Sequence, residues 1–482
     1  MPLLSFVKII SFLLALVAAA MLIPAGFALY YREYPMLFNF LAPIIVCWVI
    51  ALAVFIAARG KRIRVSIKGG YIIAASSWIF ASVLGMIPLL LSGYFASLAD
   101  ALFESVSGFS TTGATALADI DSLPVSLNVW RCEMHWLGGM GILALAVALL
   151  PLLGIGGFQL FKAETPGPEK IKMTPKIATT AKILWLIYLG FTAAQTVLLM
   201  LAGMNFPDAL AHSFSTAASG GFSTKTLSIG YYNSTAVEMI CAVFMILATI
   251  NFTLYFFIFT GKIREALQNT EVKAYLFIIA GASFFLAFVN RSYFDSFAQS
   301  LESSFFHTAS VMSTTGFSST DFAAWLPGAQ MVIFALLLIG GTSGSTAGGV
   351  KVIRWTVLFK QVQNQIRALL HPHGVFTVQI NKRAGRRDIV YSVTAFMFLY
   401  AALAALAAFI AALDGADVVT AVTAALALIG NEGPGLGKVG PLENFAFFSA
   451  PVKFFFCAVM LAGRLELYTL IVLCLPSFWR KT

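Results

Sequence analysis

The chain has 482 residues, of which 59% are hydrophobic and only 11% are charged. A soluble protein carries about 25% charged residues, so this composition excludes a soluble protein. Apolar stretches of roughly 20 residues recur along the whole chain, which predicts a polytopic helical membrane protein. The net charge of +10 then reflects membrane topology, and we expect no nucleic-acid partner.

The first two apolar stretches, residues 9–30 and 36–58, predict an N-terminal two-helix hairpin within residues 1–68. The first stretch is longer than the apolar run of about 7–15 residues in a signal peptide, so we expect it to be retained. Loops on one predicted side of the membrane contain 24 of the 31 Lys and Arg residues. The positive-inside rule therefore predicts that both termini are cytoplasmic.

Acidic residues show the opposite bias, and they include Asp100, Glu104, Asp208 and Glu432 on the predicted outer side. Acidic rings attract cations to a pore mouth, whereas ordinary solubility of the outer loops is the alternative. The longest polar stretches, residues 161–182 and 360–387, fall on the basic side.

Four short loops are small, polar and glycine-bearing, and each lies between hydrophobic segments. They are Ser110-Thr111-Thr112-Gly113, Ala218-Ser219-Gly220-Gly221, Ser313-Thr314-Thr315-Gly316 and Gly430-Asn431-Glu432-Gly433. Polar backbone at membrane depth is tolerated only where protein or a water-filled path surrounds it. A ring of such loops can replace the hydration shell of a cation with backbone carbonyl oxygens. The loops therefore predict a cation filter, with ordinary extracellular turns as the alternative.

The last glycines of these loops are 108, 95 and 117 residues apart. Each loop follows an apolar span and a shorter semi-apolar segment, and each loop precedes a second apolar span. The short segments, near residues 98–109, 207–217, 294–312 and 416–429, suit re-entrant half-helices, whose carbonyl ends favour a cation. We therefore predict an all-α fold with four pseudo-repeated units of helix, pore helix, filter loop and helix around a central pore. The predicted units are residues 69–160, 161–262, 263–366 and 367–482.

The last span of the third unit is interrupted between two apolar pieces that are each too short to cross a membrane. The interrupting residues are Gly340, Gly341, Thr342, Ser343, Gly344, Ser345, Thr346, Ala347, Gly348 and Gly349. Such backbone must line a cavity or be buried in protein. It could obstruct a pore below the filter or be only a break that accommodates packing.

Three other side chains stand out as candidates in the apolar spans. Arg464 lies in the final span, where an arginine usually faces a cavity or a partner, or forms a structural ion pair. His212 and His307 each lie nine residues before a filter glycine. They could titrate, but we expect them to form hydrogen bonds behind the filter.

Several motifs resemble the Trk/Ktr/HKT superfamily of potassium transporters, most closely its bacterial TrkH/TrkG branch. They are the four filter loops, residues 163–168 (AETPGP), residues 172–176 (KMTPK), the loop 430–435 (GNEGPG) and residues 463–466 (GRLE). The resemblance covers the whole chain, and the N-terminal hairpin also fits this branch.

The resemblance implies a potassium-conducting subunit of the bacterial inner membrane that forms a homodimer. It gives the sixteen loop residues the role of a potassium-binding filter, residues 340–349 that of an intramembrane gating loop, and Arg464 that of a pore charge. It also implies a cytoplasmic TrkA-type partner that binds nucleotides. This chain has no GxGxxG motif after a strand, so any nucleotide control would come from that partner. We expect contact with lipid and no bound cofactor, with potassium as the transported substrate.

Three alternatives remain at this stage. Some sodium-selective relatives carry serine at the first filter glycine, whereas Gly113 and the three other anchors are all glycine here, which favours potassium. A secondary transporter of an organic solute would show two large repeats. A membrane enzyme is disfavoured because HExxH is absent and no Ser/His/Asp constellation stands out. The sequence does not distinguish a channel from a symporter.

Overall fold

The computed structural model describes residues 3–59, 61, 66–141, 177–381, 383–384 and 387–480. Within these ranges the protein is a polytopic helical assembly. Six helices are long and apolar enough to cross a membrane: Leu3–Tyr30, Tyr34–Ala57, Lys68–Leu91, Thr180–Leu201, Thr270–Ser292 and Ile389–Leu413. The motifs at residues 163–168 and 172–176 lie outside the described residues, as do residues 142–160 of the first predicted unit.

The N-terminal hairpin consists of α1 (Leu3–Ala20), α2 (Leu22–Tyr30) and α3 (Tyr34–Ala57). Helix α1 packs against α3, and α2 packs against a later helix, Val125–Gly139. Glu33 joins the two parts because its carboxylate accepts hydrogen bonds from the N–H groups of Val125 (2.8 Å) and Ser126 (3.1 Å). A carboxylate at a helix N-terminus satisfies free N–H groups and complements the helix dipole. The hairpin is thus attached to the rest of the protein by a specific polar contact.

The remaining helices follow in chain order. They are α4 (Ile67–Leu91), α5 (Leu98–Phe109), α6 (Val125–Gly139), α7 (Ile177–Leu201), α8 (Phe206–Ala218), α9 (Thr235–Ala248), α10 (Phe252–Phe259), α11 (Ile263–Leu267), α12 (Thr270–Val289), α13 (Phe297–Met312), α14 (Pro327–Leu336), α15 (Val352–Leu370), α16 (Arg387–Leu413), α17 (Val418–Gly430), α18 (Ala450–Arg464), α19 (Tyr468–Cys474) and α20 (Pro476–Trp479). Short 3₁₀ turns cover Ser228–Tyr232, Asn290–Ser292, Phe322–Ala324 and Gly437–Val439. Strands β1 (Gln379–Ile380) and β2 (Arg383–Ala384) form a two-residue antiparallel pair.

Four helices of 12 to 16 residues precede the four glycine loops: α5, α8, α13 and α17. At about 1.5 Å per residue they span roughly 18–24 Å, less than the hydrocarbon core of about 30 Å. Each begins with a side-chain N-cap that accepts a hydrogen bond from the third residue after it. The caps are Ser97, Asn205, Ser296 and Asp417. Such caps satisfy N–H groups that the first turn of a helix leaves without a partner.

Three of the helices that follow the loops are broken within the described residues, and only one of these breaks is predicted from the sequence. The predicted one separates α14 from α15, across residues 337–351. A second break bends α9 and α10 by 90° at Asn251, which caps α10 by accepting a hydrogen bond from Thr253 N–H. A third separates α18 from α19, where Glu466 and Leu467 have positive φ angles.

Candidate cation filter and gate

The four half-helices end in the same backbone motif. Thr111, Ser219, Thr314 and Asn431 are left-handed, with φ between 54° and 56°, and two residues later Gly113, Gly221, Gly316 and Gly433 have φ between 79° and 86°. In the first loop, Thr111 N–H bonds to Gly108 C=O (3.1 Å) and Thr112 N–H to Ser107 C=O (2.9 Å). The other three loops have the same two bonds. This Schellman pattern terminates a helix and turns the chain sharply.

The four loops contact one another in a closed cycle. A Cβ atom placed on Gly113 would overlap the carbonyl oxygen of Gly220 in the second loop. In the same way Gly221 abuts Thr315 O in the third loop, and Gly316 abuts Glu432 O in the fourth. The cycle closes where Gly433 meets Thr112 O of the first loop, at 2.8 Å from the added Cβ. Glycine is needed at each anchor because of its positive φ and because a neighbouring backbone lies against it.

A cavity of about 70 Å³ lies on one side of this ring, and all four anchor glycines line it. Its other walls come from the segments that follow the loops, including Arg131, Lys225 and Glu443. The interrupted segment, residues 340–349, does not line this cavity. The ring therefore lies between this cavity and the interrupted segment.

Several outer acids that could attract cations are engaged in structural contacts. Glu104 is fully buried and pairs with Arg131 at 2.7 Å, while Asp100 pairs with Lys453 at 2.6 Å. Asp208 accepts a hydrogen bond from Thr224 (2.7 Å). These contacts favour a structural role for the three acids. They also neutralise Arg131 and Lys453, two basic residues on the predicted outer side.

Asp417, the N-cap of α17, also has a structural partner. The pKa of its carboxyl is below its ordinary value because the hydroxyl and N–H of Thr420 donate hydrogen bonds to it. The carboxylate is therefore stabilised at the start of this half-helix.

The histidines near the loops form hydrogen bonds, as the sequence analysis expects of His212 and His307. The ring of His212 contacts Asp208 O (2.7 Å) and Ser223 Oγ (2.9 Å). That of His307 contacts Ser303 O (2.8 Å) and Thr320 O (3.1 Å). Both side chains thereby connect a half-helix to the chain beyond its loop.

His135 on α6 plays a similar part, although it is not among the candidate residues predicted from the sequence. Its Nδ1 contacts Gly108 O (2.8 Å), and its Nε2 accepts a hydrogen bond from Phe222 N–H (3.2 Å). A Cβ on Gly220 would overlap the His135 ring. The second loop therefore has glycine where the first and third have Thr112 and Thr315. Gly220, the additional glycine of the second loop, is the sequence feature that could have indicated the His135 ring beside it.

The interrupted segment contacts the ring from the side opposite the cavity. Gly348 N–H donates to Thr314 Oγ1 (2.7 Å), and Thr346 Oγ1 lies 2.9 Å from Ser219 Oγ. The ends of the segment bond to each other, from Gly340 N–H to Val350 O at 2.8 Å. A Cβ atom placed on Gly348 would also overlap Gly430 O in the fourth loop. The segment is thus folded back on itself directly against three of the four loops.

Arg464 at the end of α18 reaches the same region. Its guanidinium donates to Thr346 O (2.7 Å) in the interrupted segment and to Gly138 O and Gly139 O (both 2.9 Å) at the end of α6. Glu466 is two residues away and pairs instead with Arg354 at 2.5 Å. The structure therefore places Arg464 against the interrupted segment, for which the family resemblance implies a gating role.

A ring of four backbone loops between membrane helices, with an interrupted helix and an arginine beside it, is the arrangement expected of a membrane protein that transports cations. The chain belongs to the TrkH family: the profile of that family, described as a cation transport protein, matches residues 36–481. Its relatives are transport proteins and not enzymes.

Named relatives agree with this assignment over nearly the whole chain. A potassium uptake protein of the Trk system, TrkH of Vibrio parahaemolyticus, is 38% identical and the alignment covers 99% of both chains. The Escherichia coli K12 proteins TrkH and TrkG are 36% and 34% identical, over 98% of this chain and 99% and 97% of theirs. The crystal structure of the potassium transporter TrkH from V. parahaemolyticus matches with a TM-score of 0.88 and 35% identity, covering 100% of both chains.

Proposed function

We propose that this protein carries potassium into the cell through the ring of four glycine loops. The single observation that carries the proposal is the closed cycle in which Gly113, Gly221, Gly316 and Gly433 abut the next loop. Carbonyl oxygens held at such a ring can replace water around a dehydrated cation. The half-helix carbonyl ends that point at the ring add partial negative charge. The potassium named for the relatives supports potassium as the substrate.

The proposed filter consists of the sixteen loop residues, and the proposed architecture is the hairpin at residues 1–68 followed by four repeat units. The equivalent N-caps, left-handed residues and interloop contacts support this division. The units are residues 69–160, 161–262, 263–366 and 367–482.

The proposed gate is the segment from Gly340 to Gly349, with Arg464 as its charged neighbour. The segment lies below the ring and bonds to Thr314 and Ser219, so it can block the exit of an ion from the ring. Arg464 places positive charge near this exit, which disfavours a resident cation and favours its release.

The protein is proposed to act as a homodimer in the bacterial inner membrane, with both termini cytoplasmic and a TrkA-type partner that binds nucleotides. The sidedness of the basic residues supports the orientation. The Trk system named for the relatives supports the partner. A sodium-transporting relative is the second candidate, and the four anchor glycines argue against it.

Growth and uptake in bacteria that lack their own potassium uptake systems test the proposed function. Cells producing this chain with its partner are expected to grow at low external potassium and to accumulate potassium faster than sodium. Protein that reaches the membrane but supports neither growth nor potassium accumulation would overturn the proposal. Faster accumulation of sodium would favour the second candidate.

A further inference from the structure

A buried carboxylate connects the interrupted segment to the helix that follows it. Glu271 lies in the first turn of α12, and its side chain is buried. A single oxygen, Oε1, accepts hydrogen bonds from the N–H groups of Ser343 (2.8 Å) and Ile353 (3.1 Å). Ser343 belongs to the interrupted segment and Ile353 to the first turn of α15. One side chain thus holds together the interrupted segment and helix α15.

Glu271 provides an acceptor in the first turn of α15, whose own N-cap position provides no side-chain acceptor. That position is Lys351, which makes no capping hydrogen bond and instead donates its Nζ proton to Ala347 O. The first N–H groups of a helix need acceptors and favour negative charge. Glu271 supplies both from a neighbouring helix. Loss of its oxygen would leave two buried N–H groups without an acceptor, which is unfavourable.

The residue before Glu271 contacts the turn between β1 and β2 on the predicted cytoplasmic side. Thr270 N–H donates to Asn381 Oδ1 (2.9 Å), and Asn381 N–H donates to Thr270 Oγ1 (3.4 Å). Asn381 has a positive φ of 50°. The reciprocal bonds fix the position of this turn relative to the first turn of α12, which carries Glu271.

The two-stranded hairpin is also attached to α15. Val378 and Ile380 form an apolar cluster with Ile353, Val357 and Val393. In addition, Lys360 Nζ donates to Gln379 O at 2.6 Å. Displacement of the hairpin would therefore act on α15 and, through Thr270, on Glu271.

We propose that Glu271 is a positioning residue that holds the interrupted segment closed, and that the Thr270–Asn381 contact connects it to the cytoplasmic hairpin. This inference rests on the gating role proposed above for residues 340–349. Movement of the hairpin would withdraw Glu271 from Ser343 and Ile353 and release the segment. A partner that binds the hairpin could thus open the pathway by favouring the released state.

Potassium flux through the full-length protein in liposomes, without the partner, tests the role of Glu271. Glu271→Leu removes the acceptor and is expected to raise basal flux about tenfold, the effect of a shift of about 1.4 kcal/mol. Glu271→Gln keeps an oxygen that can accept both bonds and is expected to leave flux near that of the wild type. Glu265→Leu, at an exposed carboxylate nearby, is the matched control and is expected to change nothing.

A thiol at position 345 provides a readout that does not depend on flux. With the five native cysteines replaced, Ser345→Cys is expected to react faster with a membrane-impermeant reagent from the cytoplasmic side when Glu271→Leu is present. Wild-type flux and unchanged thiol reactivity in Glu271→Leu would overturn the inference. A glutamine variant as open as the leucine variant would also overturn it, because the hydrogen bonds would then not be the cause.

The connection to the hairpin is tested with Asn381→Ala, which leaves Glu271 in place and remains available if Glu271→Leu does not insert. It is expected to reduce the response of flux to the partner at least threefold without removing partner binding, and an unchanged response would contradict the connection.

Deletion of residues 344–347 is measured in parallel. If the deletion raises flux and Glu271→Leu does not, only the inference fails. If the deletion has no effect, the proposed gate itself fails.

Discussion

At the scale of single residues, each anchor glycine meets two demands at once. Its φ is positive, and a neighbouring loop occupies the space where a side chain would start. Either demand alone would favour glycine. Gly93 offers a comparison, since its φ of 78° matches the 79° of Gly113 but nothing lies within 4 Å of an added Cβ. Substitutions at Gly93 and Gly113 therefore distinguish the effect of the contact between loops from the effect of backbone strain.

Gly113→Ser is expected to lower the potassium-to-sodium permeability ratio by about tenfold, equivalent to about 1.4 kcal/mol of lost discrimination. The new side chain would push the first loop away from Gly220 O and distort the ring. Ion fluxes in liposomes provide the measurement. Gly93→Ser carries the same strained φ and is expected to keep the wild-type ratio; equal ratios in all three proteins would contradict the filter.

The buried Glu104–Arg131 pair is expected to matter for stability. Glu104→Gln leaves the Arg131 charge buried without its partner carboxylate, and removal of one member of such a pair typically costs about 3–5 kcal/mol. Thermal unfolding of the purified protein in detergent should show a clear loss. Asp295→Asn, at an exposed carboxylate, should show none, and Glu104→Gln/Arg131→Met should recover part of the loss. A stable single variant would show that the pair contributes little.

At the scale of elements, the sequence predicts the half-helices better than the broken helices. The short apolar segments near residues 98–109, 207–217 and 416–429 match α5, α8 and α17 to within two residues, because glycine loops and polar N-caps mark both ends. The glycine-rich break after α14 is equally visible. The breaks at Asn251 and at Glu466 are not visible in the sequence, because a single capping residue or a left-handed backbone hardly changes the apolar pattern.

Deletion of residues 344–347 is expected to raise potassium flux because it shortens the segment that lies against Thr314 and Ser219. Flux through the reconstituted protein is the measurement, and folding is checked by the elution profile in detergent. The control is Gly190→Ala on α7, where the added Cβ has no neighbour within 4 Å and φ is not left-handed. Correctly folded deletion protein with wild-type flux would show that the segment is only a helix break.

At the scale of the whole molecule, composition alone predicts the membrane class, and the spacing of four glycine loops predicts a central pathway. The cyclic order of the contacts could not be predicted, because it depends on how units about 100 residues apart pack together. His135 and Glu271 were missed for the same reason: each acts on a segment far away in sequence. The residues 163–168 and 172–176, which carry part of the family resemblance, lie outside the described residues.

The basic stretch near the hairpin is proposed to contact the cytoplasmic partner. Charge reversal of Lys382, Arg383, Arg386 and Arg387 is expected to weaken partner binding about tenfold or more and to make the remaining binding less sensitive to salt. Filter selectivity should not change. Lys382 and Arg386 lie outside the described residues, so this expectation rests on their charge. A pull-down measures binding.

Reversal of Arg59, Lys61, Arg62 and Arg64 is the matched control, because it changes the same number of charges at another predicted cytoplasmic loop. Both variants must keep the wild-type orientation, as judged from the accessibility of a C-terminal tag. Full partner binding by the correctly oriented variant with reversed charges at positions 382, 383, 386 and 387 would show that this stretch is not the docking site.

The reversal potential of the purified protein in liposomes, with potassium on one side and sodium on the other, tests the central claim most directly. The four-loop ring predicts a potential that follows the potassium gradient, and Gly→Ser substitutions at positions 113, 221, 316 and 433 should each move it toward zero. Because the four loops are equivalent, a shift of the reversal potential toward zero in all four variants is the result that supports the filter. A wild-type potential that follows sodium equally well, or four variants indistinguishable from the wild type, would contradict the account.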